Sequence, residues 1–281
     1  MIEITKLTKK YANVTAIDNL SLTLQQEGIY CLLGRNGAGK TTLMKLLAGY
    51  IKATQGTITI ESKLVSPGNM PESVNFIESG SQQFNMKVAE LVETAAALQD
   101  DFDLEFAWEM IERFELDPKK RFKQLSFGMK TMLTTIISLS NNSKVMLLDE
   151  PTLGFDAIMR DSFNNLLYRS YQAYPRLIIV STHLIDEIAK ITERFIIIDK
   201  GCLLLETSID ELDENAYTLS GASSLIHPLL EQLNCIGTTE IGSVMAAHIY
   251  DRRITPPEGV SIENMSLQDF FINLVGGKTN A

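Results

Sequence analysis

One stretch of the chain, GRNGAGKTT at positions 34–42, constrains the fold more than any other feature. It follows a short apolar run, residues 29–33, which predicts a buried strand, and it precedes residues 43–48, which predict a helix. The spacing G-x-x-x-x-G-K-[ST] between a strand and a helix predicts a phosphate-binding loop. Glycines allow such a loop to bring backbone N–H groups close to phosphate oxygens, and the helix N-terminus adds partial positive charge.

Two side chains at the end of the loop complete the predicted site. Lys40 adds a full positive charge, and the Thr41 hydroxyl is placed to bind a magnesium ion. We therefore expect a phosphate-bearing ligand to bind here together with Mg²⁺. The loop residues predicted to bind it are Gly34, Asn36, Gly37, Ala38, Gly39, Lys40, Thr41 and Thr42.

A pair of acidic residues follows a second apolar run. Residues 145–148 predict a strand, and Asp149 and Glu150 come at its carboxyl end. Asp149 is placed to hold magnesium, directly or through water, and Glu150 to polarise an attacking water. Such a pair is commonly only a helix cap, but its position downstream of a phosphate loop favours the catalytic interpretation.

A third predicted buried strand, residues 176–180, leads to His183. Ligands of open parallel α/β sheets bind at the carboxyl ends of the strands, where the loop and the acidic pair are also predicted to lie. We therefore interpret His183 as a switch residue of the same site. His227 and His248 have no such context and receive no role.

The rest of the chain supplies the frame of the predicted domain. Residues 1–7, 20–24 and 56–60 predict strands, and residues 87–117 have apolar positions at helical spacing. Tyr11 lies in a polar turn, where an aromatic ring either stacks on a base or packs locally. Beyond about residue 207 the pattern predicts a small α+β appendage without a catalytic constellation.

Charge and cysteine content limit the partners and the compartment. The net charge of -10 argues against nucleic acid as a partner. Three cysteines lie far apart, which favours a reducing cytoplasm over a disulfide framework. No apolar run approaches the ~18 residues of a membrane span, so we expect another chain to supply any spans.

Five motifs in one order resemble the ATP-binding subunit of an ABC transporter over residues 1 to about 206. GRNGAGKTT is similar to the family's Walker A, VMLLDE to its Walker B, LSFGMK to its signature and STH to its switch histidine, while GFD occupies the place of the D-loop. The resemblance implies an α/β P-loop NTPase fold of ABC type. It would have a mixed sheet core, an antiparallel β subdomain and a helical subdomain at about 84–140, with residues 207–281 as an accessory region.

The resemblance also implies an ATPase that works as a pair. Two such domains, either a homodimer or two paralogues, would close head to tail over two ATP molecules. Ser126 and Gly128 would reach the γ-phosphate held by the opposing subunit, and Asp156 would lie in the D-loop. A separate multi-span membrane subunit would couple hydrolysis to transport, which places the protein at the cytoplasmic face of the membrane. Tyr11 would stack on adenine. The other residues implied to act on the same nucleotide are Lys40, Thr41, Thr42, Asp149, Glu150 and His183.

Two departures from the family pattern qualify this expectation. In the signature, Phe127 replaces the first glycine of LSGGQ and Met129 replaces the glutamine. This variant resembles exporters of antibiotics, bacteriocins or toxic peptides, so we expect export. The Q-loop glutamine has no clear match, and its position is open between Ser79, Glu78, Gln82 and Gln83.

Two other functions compete with the transporter subunit. One is a soluble ABC ATPase that acts on ribosomes, DNA or an assembly scaffold. Chromosome and repair members carry long coiled coils and ribosome-acting members carry two cassettes, neither of which is seen in this sequence, but a scaffold partner stays open. The other is an inactive cassette, and the presence of Lys40, Asp149, Glu150 and His183 argues against it.

Overall fold

The computed structural model of the protein describes residues 1–80 and 83–276. The chain divides into two compact units, Met1–Leu205 and Glu206–Ala281. Within the described residues, none of the helices combines the length and the apolar character that crossing a membrane requires. The elements up to the end of the first unit are β1 (Ile2–Tyr11), β2 (Val14–Leu24), β3 (Gly28–Leu33), α1 (Lys40–Leu47), β4 (Gln55–Ile60), β5 (Lys63–Leu64), β6 (Val74–Glu78), α2 (Val88–Leu98), α3 (Leu104–Arg113), a 3-10 turn (Phe122–Gln124), α4 (Phe127–Leu139), β7 (Val145–Asp149), α5 (Ala157–Ala173), β8 (Leu177–Ser181), α6 (Ile185–Ile188), β9 (Arg194–Asp199) and β10 (Cys202–Ser208).

A six-stranded sheet in the order β10-β9-β3-β8-β7-β6 forms the core of the first unit. The pairs β3–β8, β3–β9, β6–β7 and β7–β8 are all parallel. Every residue of β3, β7 and β8 is buried, which explains why these strands read as unbroken apolar runs. Because the strands are parallel, the segments that follow β3, β6, β7 and β8 leave the sheet at one edge.

A second sheet, in the order β2-β1-β4-β5, is antiparallel where its strands pair with β1. The predicted first strand ends at residue 7, whereas β1 continues to Tyr11, opposite Val14. Three shifts of register interrupt the β1–β2 ladder after Ile4, and a bulged strand no longer alternates in burial with a period of two. The alternating pattern in the sequence therefore ends before the strand itself ends.

The helices α2, α3 and α4 lie between the strands β6 and β7 along the chain and pack against one another. The C-terminal end of α4 is fixed to the core by Arg176, whose Nη2 donates to the Leu139 carbonyl at 3.1 Å and to Ser170 Oγ at 2.6 Å. Burial lowers the pKa of the Arg176 guanidinium to about 10. The mixed sheet, the antiparallel sheet and the helical part predicted from the sequence are thus all present.

The second unit is a four-stranded sheet in the order β12-β13-β11-β14, with antiparallel neighbours, and three helices. Its core is formed by Tyr217, Leu219, Ile226 and Ile249, each fully buried. This is the α+β architecture expected of the appendage. The elements are α7 (Ile209–Asn215), β11 (Ala216–Ala222), α8 (Ser223–Leu230), β12 (Cys235–Ile241), β13 (Val244–Tyr250), β14 (Val260–Asn264) and α9 (Leu267–Gly276).

Candidate functional site

The loop between β3 and α1 is pressed against two neighbouring strands, which explains its glycines. A Cβ placed on Gly34 would lie 2.6 Å from the Ile198 carbonyl oxygen. A Cβ placed on Gly39 would overlap the carbonyl oxygen of Ala16, and Gly39 has a φ of +106°, which L side chains rarely adopt. Glycine is therefore the residue that fits the last position before α1.

The N-terminus of α1 has the properties of an anion site. Among the described residues no side chain caps it, and its first turn contains no acidic residue. Lys40 is buried, and its Nζ donates to the Gly34 carbonyl at 2.7 Å, so the ammonium group lies inside the loop. Free first-turn N–H groups, the helix dipole and an ammonium group together favour bound phosphate. Of the other loop residues, Asn36 and Gly37 are exposed, Gly39, Thr41 and Thr42 are half-buried and Ala38 is buried.

The structure joins the loop to the first acidic residue. Thr41 Oγ1 donates to Asp149 Oδ2 at 2.5 Å, and Ser181 Oγ donates to the other carboxylate oxygen. Asp149 is only 4% exposed, so its carboxylate is held in place by two hydroxyl groups. A carboxylate and a hydroxyl oxygen are hard ligands of the kind that Mg²⁺ takes beside substrate phosphates, so Thr41 and Asp149 fit a Mg²⁺ site.

Glu150 and His183 form the second half of the cluster. His183 Nδ1 lies 2.9 Å from Glu150 Oε2, and the side chains are partly exposed, at 55% and 24% respectively. The backbone of Glu150 has a φ of +49°, and its N–H donates to the backbone carbonyl and to Oγ of Ser181. Such a left-handed non-glycine residue costs roughly 1–3 kcal/mol, a strain that the surrounding contacts must offset.

Ser181 is a site residue that the sequence analysis did not identify. It ends β8 and stands opposite Asp149 in the parallel ladder, where its hydroxyl reaches both acidic residues. Serine at the end of a strand is common, so its type alone carried no signal. Only the pairing of β7 with β8 reveals its role.

Two alternatives for the open Q-loop position lie beside the acidic pair. Ser79 Oγ donates to the Glu150 carbonyl at 2.7 Å, and Ser79 N–H donates to the Asp149 carbonyl at 3.2 Å. Glu78 stands opposite Asp149 in the β6–β7 ladder, and its carboxylate forms an ion pair with Lys45 at 2.8 Å. Gln83 is exposed. Gln82 lies outside the described residues.

The signature and D-loop residues are placed at the starts of two helices. Ser126 is the N-cap of α4, and its Oγ accepts from Met129 N–H at 3.2 Å. Gly128 is buried in the first turn of α4. Asp156 is the N-cap of α5 and accepts from Met159 N–H at 2.8 Å. The hydrogen bonds found for these side chains in the described part of the chain do not reach Lys40, Asp149 or Glu150.

Tyr11 ends β1 with its ring 46% exposed. Lys9 Nζ lies 4.8 Å from the ring centroid, within the range of a cation–π contact. This exposure leaves the ring available to stack on a base, and the contact with Lys9 is a local packing contact, so the position agrees with both alternatives.

Cys31 lies in β3, the strand that leads into the phosphate loop, and is fully buried. Burial, and next the negative charge of Glu150, raise the pKa of its thiol far above its ordinary value. Cys31 is therefore a neutral packing residue of this site.

Comparison with known proteins gives a consistent result. A family profile described as "ABC transporter" matches residues 17–153. The lantibiotic transport ATP-binding protein SrtF of Streptococcus pyogenes is 31% identical over 216 residues, which cover 75% of this chain and 92% of SrtF. The bacitracin transport ATP-binding protein BcrA of Bacillus licheniformis is 28% identical over 307 aligned positions, which cover 99% of this chain and 98% of BcrA.

Solved structures with a similar fold are also cassettes. One, described as the ATP binding subunit of an ABC transporter, superposes with a TM-score of 0.67 at 20% identity, over 75% of this chain and 91% of that chain. Another, described as the dimeric post-hydrolysis state of the ATP-binding cassette MJ0796 with ADP and Pi, gives a TM-score of 0.64 at 21% identity, over 74% and 99%. These likenesses confirm the predicted fold class.

Proposed function

The chain belongs to the ABC transporter family as an ATP-binding ATPase subunit, and from that premise we propose how its residues share the reaction and what the transporter exports. The observation that carries the proposal is the cluster in which Thr41 contacts Asp149 and His183 contacts Glu150, at the end of the phosphate loop. Each contact joins residues at or after the ends of two different strands, so the cluster forms only when the sheet is folded.

Lys40 and the uncapped N-terminus of α1 hold the β- and γ-phosphates of ATP. Their positive charge stabilises the negative charge that develops on the transferred phosphoryl group. Tyr11 stacks on the adenine, and the other loop residues with Thr42 line the phosphates. These contacts bind ATP without a covalent bond to the protein.

Glu150 and His183 act on the attacking water. The Glu150 carboxylate accepts a proton from water as the water oxygen approaches the γ-phosphorus, and His183, 2.9 Å away, holds that carboxylate in one orientation. Thr41 and Asp149 hold Mg²⁺, which when bound neutralises phosphate charge. Ser181 holds the Asp149 carboxylate through its second oxygen.

The active form is a pair of ATP-binding domains. Ser126, Gly128 and Asp156 lie at the starts of α4 and α5, and in the described part of the chain their hydrogen bonds do not reach this chain's own Lys40 or Glu150. These residues complete the site of a second ATP-binding domain, with the N-terminus of α4 aimed at the γ-phosphate. The second domain is a copy of this chain or a paralogue.

The transported compound is an amphipathic peptide antibiotic or a similar molecule, and the direction is export. Relatives named for lantibiotic and bacitracin transport support this class, as does the LSFGMK form of the signature. The bacitracin relative aligns over 99% of this chain, so its likeness includes the second unit as well as the first. A soluble ATPase that serves an assembly scaffold receives no comparable support.

We divide the chain into an ABC ATP-binding domain, residues 1–206, and an accessory region, residues 207–281. The helical subdomain of the first, about residues 84–140, carries α2 to α4. The accessory region has a hydrophobic core of its own. A separate multi-span membrane subunit holds the protein at the cytoplasmic face of the membrane.

The function is tested by purifying the full chain from a detergent extract and identifying what accompanies it. A multi-span membrane protein, together with ATP hydrolysis that is lost in Lys40→Ala, is the expected result. Lys63→Ala, at an exposed lysine of β5, is the matched control and should hydrolyse ATP at the parental rate. Only soluble partners, or hydrolysis that persists in Lys40→Ala, would contradict the proposal.

Export is tested by growth in bacitracin or a lantibiotic, where loss of protection in Lys40→Ala is expected.

A further inference from the structure

Phe127, the first residue of α4, replaces a signature glycine and has no task in the proposed reaction. Its side chain is 46% exposed, yet its ring fills the space beside two glycines. A Cβ placed on Gly154 would overlap the ring atoms Cδ1 and Cε1, and a Cβ placed on Gly80 would lie 3.1 Å from Cε2. The ring therefore lies between the turn that precedes α5 and the loop that follows β6.

The backbone beside Phe127 makes the same close approach. A Cβ placed on Gly128 would lie 3.1 Å from the Gly154 carbonyl oxygen and 3.5 Å from Cδ1 of Phe155. The first turn of α4 is thus packed on the turn before α5 through two consecutive residues, one by its ring and one by its backbone. A shift of either turn would meet the other, because packed groups at this distance have no free space between them.

The turn that receives the ring is anchored on its other side. Arg160 Nε donates to the Phe155 carbonyl at 3.1 Å, and Arg160 Nη1 pairs with Glu187 Oε1 at 2.6 Å. Glu187 lies in α6, four residues after His183. A contiguous series of contacts therefore runs from the start of α4 through the turn and α5 to the segment that follows His183.

We propose that Phe127 is a positioning residue that couples the two nucleotide sites to which this subunit contributes. It holds the turn carrying Asp156 against the turn carrying Ser126, so that both move as one body when the pair of domains closes. The inference rests on the proposed function, in which Ser126 acts on the partner's nucleotide and His183 on the subunit's own. A glycine at position 127 would remove the ring from this contact and leave the close approach of Gly128 to the Gly154 carbonyl and the Phe155 ring.

The first test compares Phe127→Ala with a matched control, Phe84→Ala, in the full-length ATPase. Phe84 is also partly exposed and packs edge-on against Phe122 at 5.2 Å. Phe127→Ala should lower kcat at least fivefold and bring the Hill coefficient for ATP towards one. The KM for ATP should stay within twofold, because the ring packs beside Gly80 and Gly154 and the proposed function assigns it no contact with ATP. Phe84→Ala should leave all three values near parental. An unchanged Hill coefficient in Phe127→Ala would overturn the proposal.

The second test is a double-mutant cycle with Gly154→Ala, whose methyl group would overlap the ring. In the protein that retains Phe127, Gly154→Ala should lower kcat at least tenfold. In the Phe127→Ala background it should lower kcat no more than threefold. The positive φ of Gly154 strains alanine in both backgrounds, so only the contact with the ring differs. Equal losses in the two backgrounds would overturn the proposal.

If Gly154→Ala is too unstable for an activity assay, the same double-mutant cycle is measured by thermal unfolding. The fall in Tm should be smaller in the Phe127→Ala background, and equal falls would count against the contact. Lys40→Ala is measured in parallel. Hydrolysis that does not depend on Lys40 would contradict the proposed function, whereas Lys40-dependent hydrolysis with purely additive losses would contradict the coupling alone.

Discussion

His183 Nδ1 lies 2.9 Å from Glu150 Oε2, although 33 positions separate the two residues in the chain. The contact forms because β7 and β8 are parallel neighbours, so that the residues after both strands leave the sheet at one edge. In the proposed mechanism this contact lets Glu150 act as the base while His183 orients it.

Glu150→Gln should abolish turnover and keep ATP binding. Glutamine has the same shape but cannot take a proton from water, so we expect kcat to fall by about 10² or more. ATP should then be trapped in stable dimers, which size-exclusion chromatography with ATP would detect. Turnover at the parental rate would show that Glu150 is not the base.

His183→Ala should lower kcat by about tenfold and leave the KM for ATP within a factor of about two, because the imidazole orients Glu150 without holding the phosphates. Steady-state kinetics measure both values. The double variant Glu150→Gln/His183→Ala is the control: since both residues act on one step, its loss should not exceed that of Glu150→Gln alone. Multiplied losses would mean that His183 acts independently.

Thr41→Val should raise the Mg²⁺ concentration needed for half-maximal ATPase activity by about tenfold or more. Valine keeps the shape but removes the hydroxyl that donates to Asp149 Oδ2, and losing a hydrogen bond to a charged group costs about 1.5–3 kcal/mol. Thr41→Ser retains the hydroxyl and should stay near the parental value. A Mg²⁺ titration of the rate measures both. The same Mg²⁺ requirement in Thr41→Val and Thr41→Ser would remove Thr41 from the predicted metal site.

Gly39→Ala should destroy ATP binding or the fold, whereas Gly68→Ala should be neutral. The new methyl group at position 39 would overlap the Ala16 carbonyl in a left-handed backbone, while nothing lies within 4 Å of a Cβ at position 68. We expect a change in the free energy of unfolding within about 0.5 kcal/mol for Gly68→Ala. Thermal unfolding and titration with a fluorescent ATP analogue measure both effects. Normal binding by Gly39→Ala would contradict the described path of the loop.

Cys31 should make the protein less stable at alkaline pH. Burial raises the pKa of its thiol in the folded state, so above the ordinary value of 9.0 the unfolded chain loses a proton that the folded protein keeps. Stability from this group is complete below pH 9.0 and falls above it, by up to about 1.4 kcal/mol per pH unit. Denaturant unfolding from pH 8 to 10.5 should show a smaller decline for Cys31→Ala, because the other titrating groups are common to both proteins. Parallel curves would contradict this account.

The local motifs of this protein could be read directly from its sequence. A phosphate loop is made by adjacent residues, and apolar runs mark strands that are buried on both faces, so Lys40, Thr41, Asp149, Glu150 and His183 could all be selected before any fold was known. The parallel strands then predicted that these residues share one edge of the sheet. The ABC family and the fold class followed from the order of the motifs, and both are confirmed.

The contacts between distant segments were decided by the tertiary structure alone. Ser181 became a partner of Asp149 and Glu150 because of strand pairing, and the ring of Phe127 met Gly154 because α4 and α5 begin side by side. Serine is common at the end of a strand, and the departure of Phe127 from the LSGGQ pattern did not indicate which residue its ring would contact. Local pattern reports what a residue does to its own backbone and burial, whereas the identity of its neighbour depends on how the elements pack, which no short stretch of sequence contains.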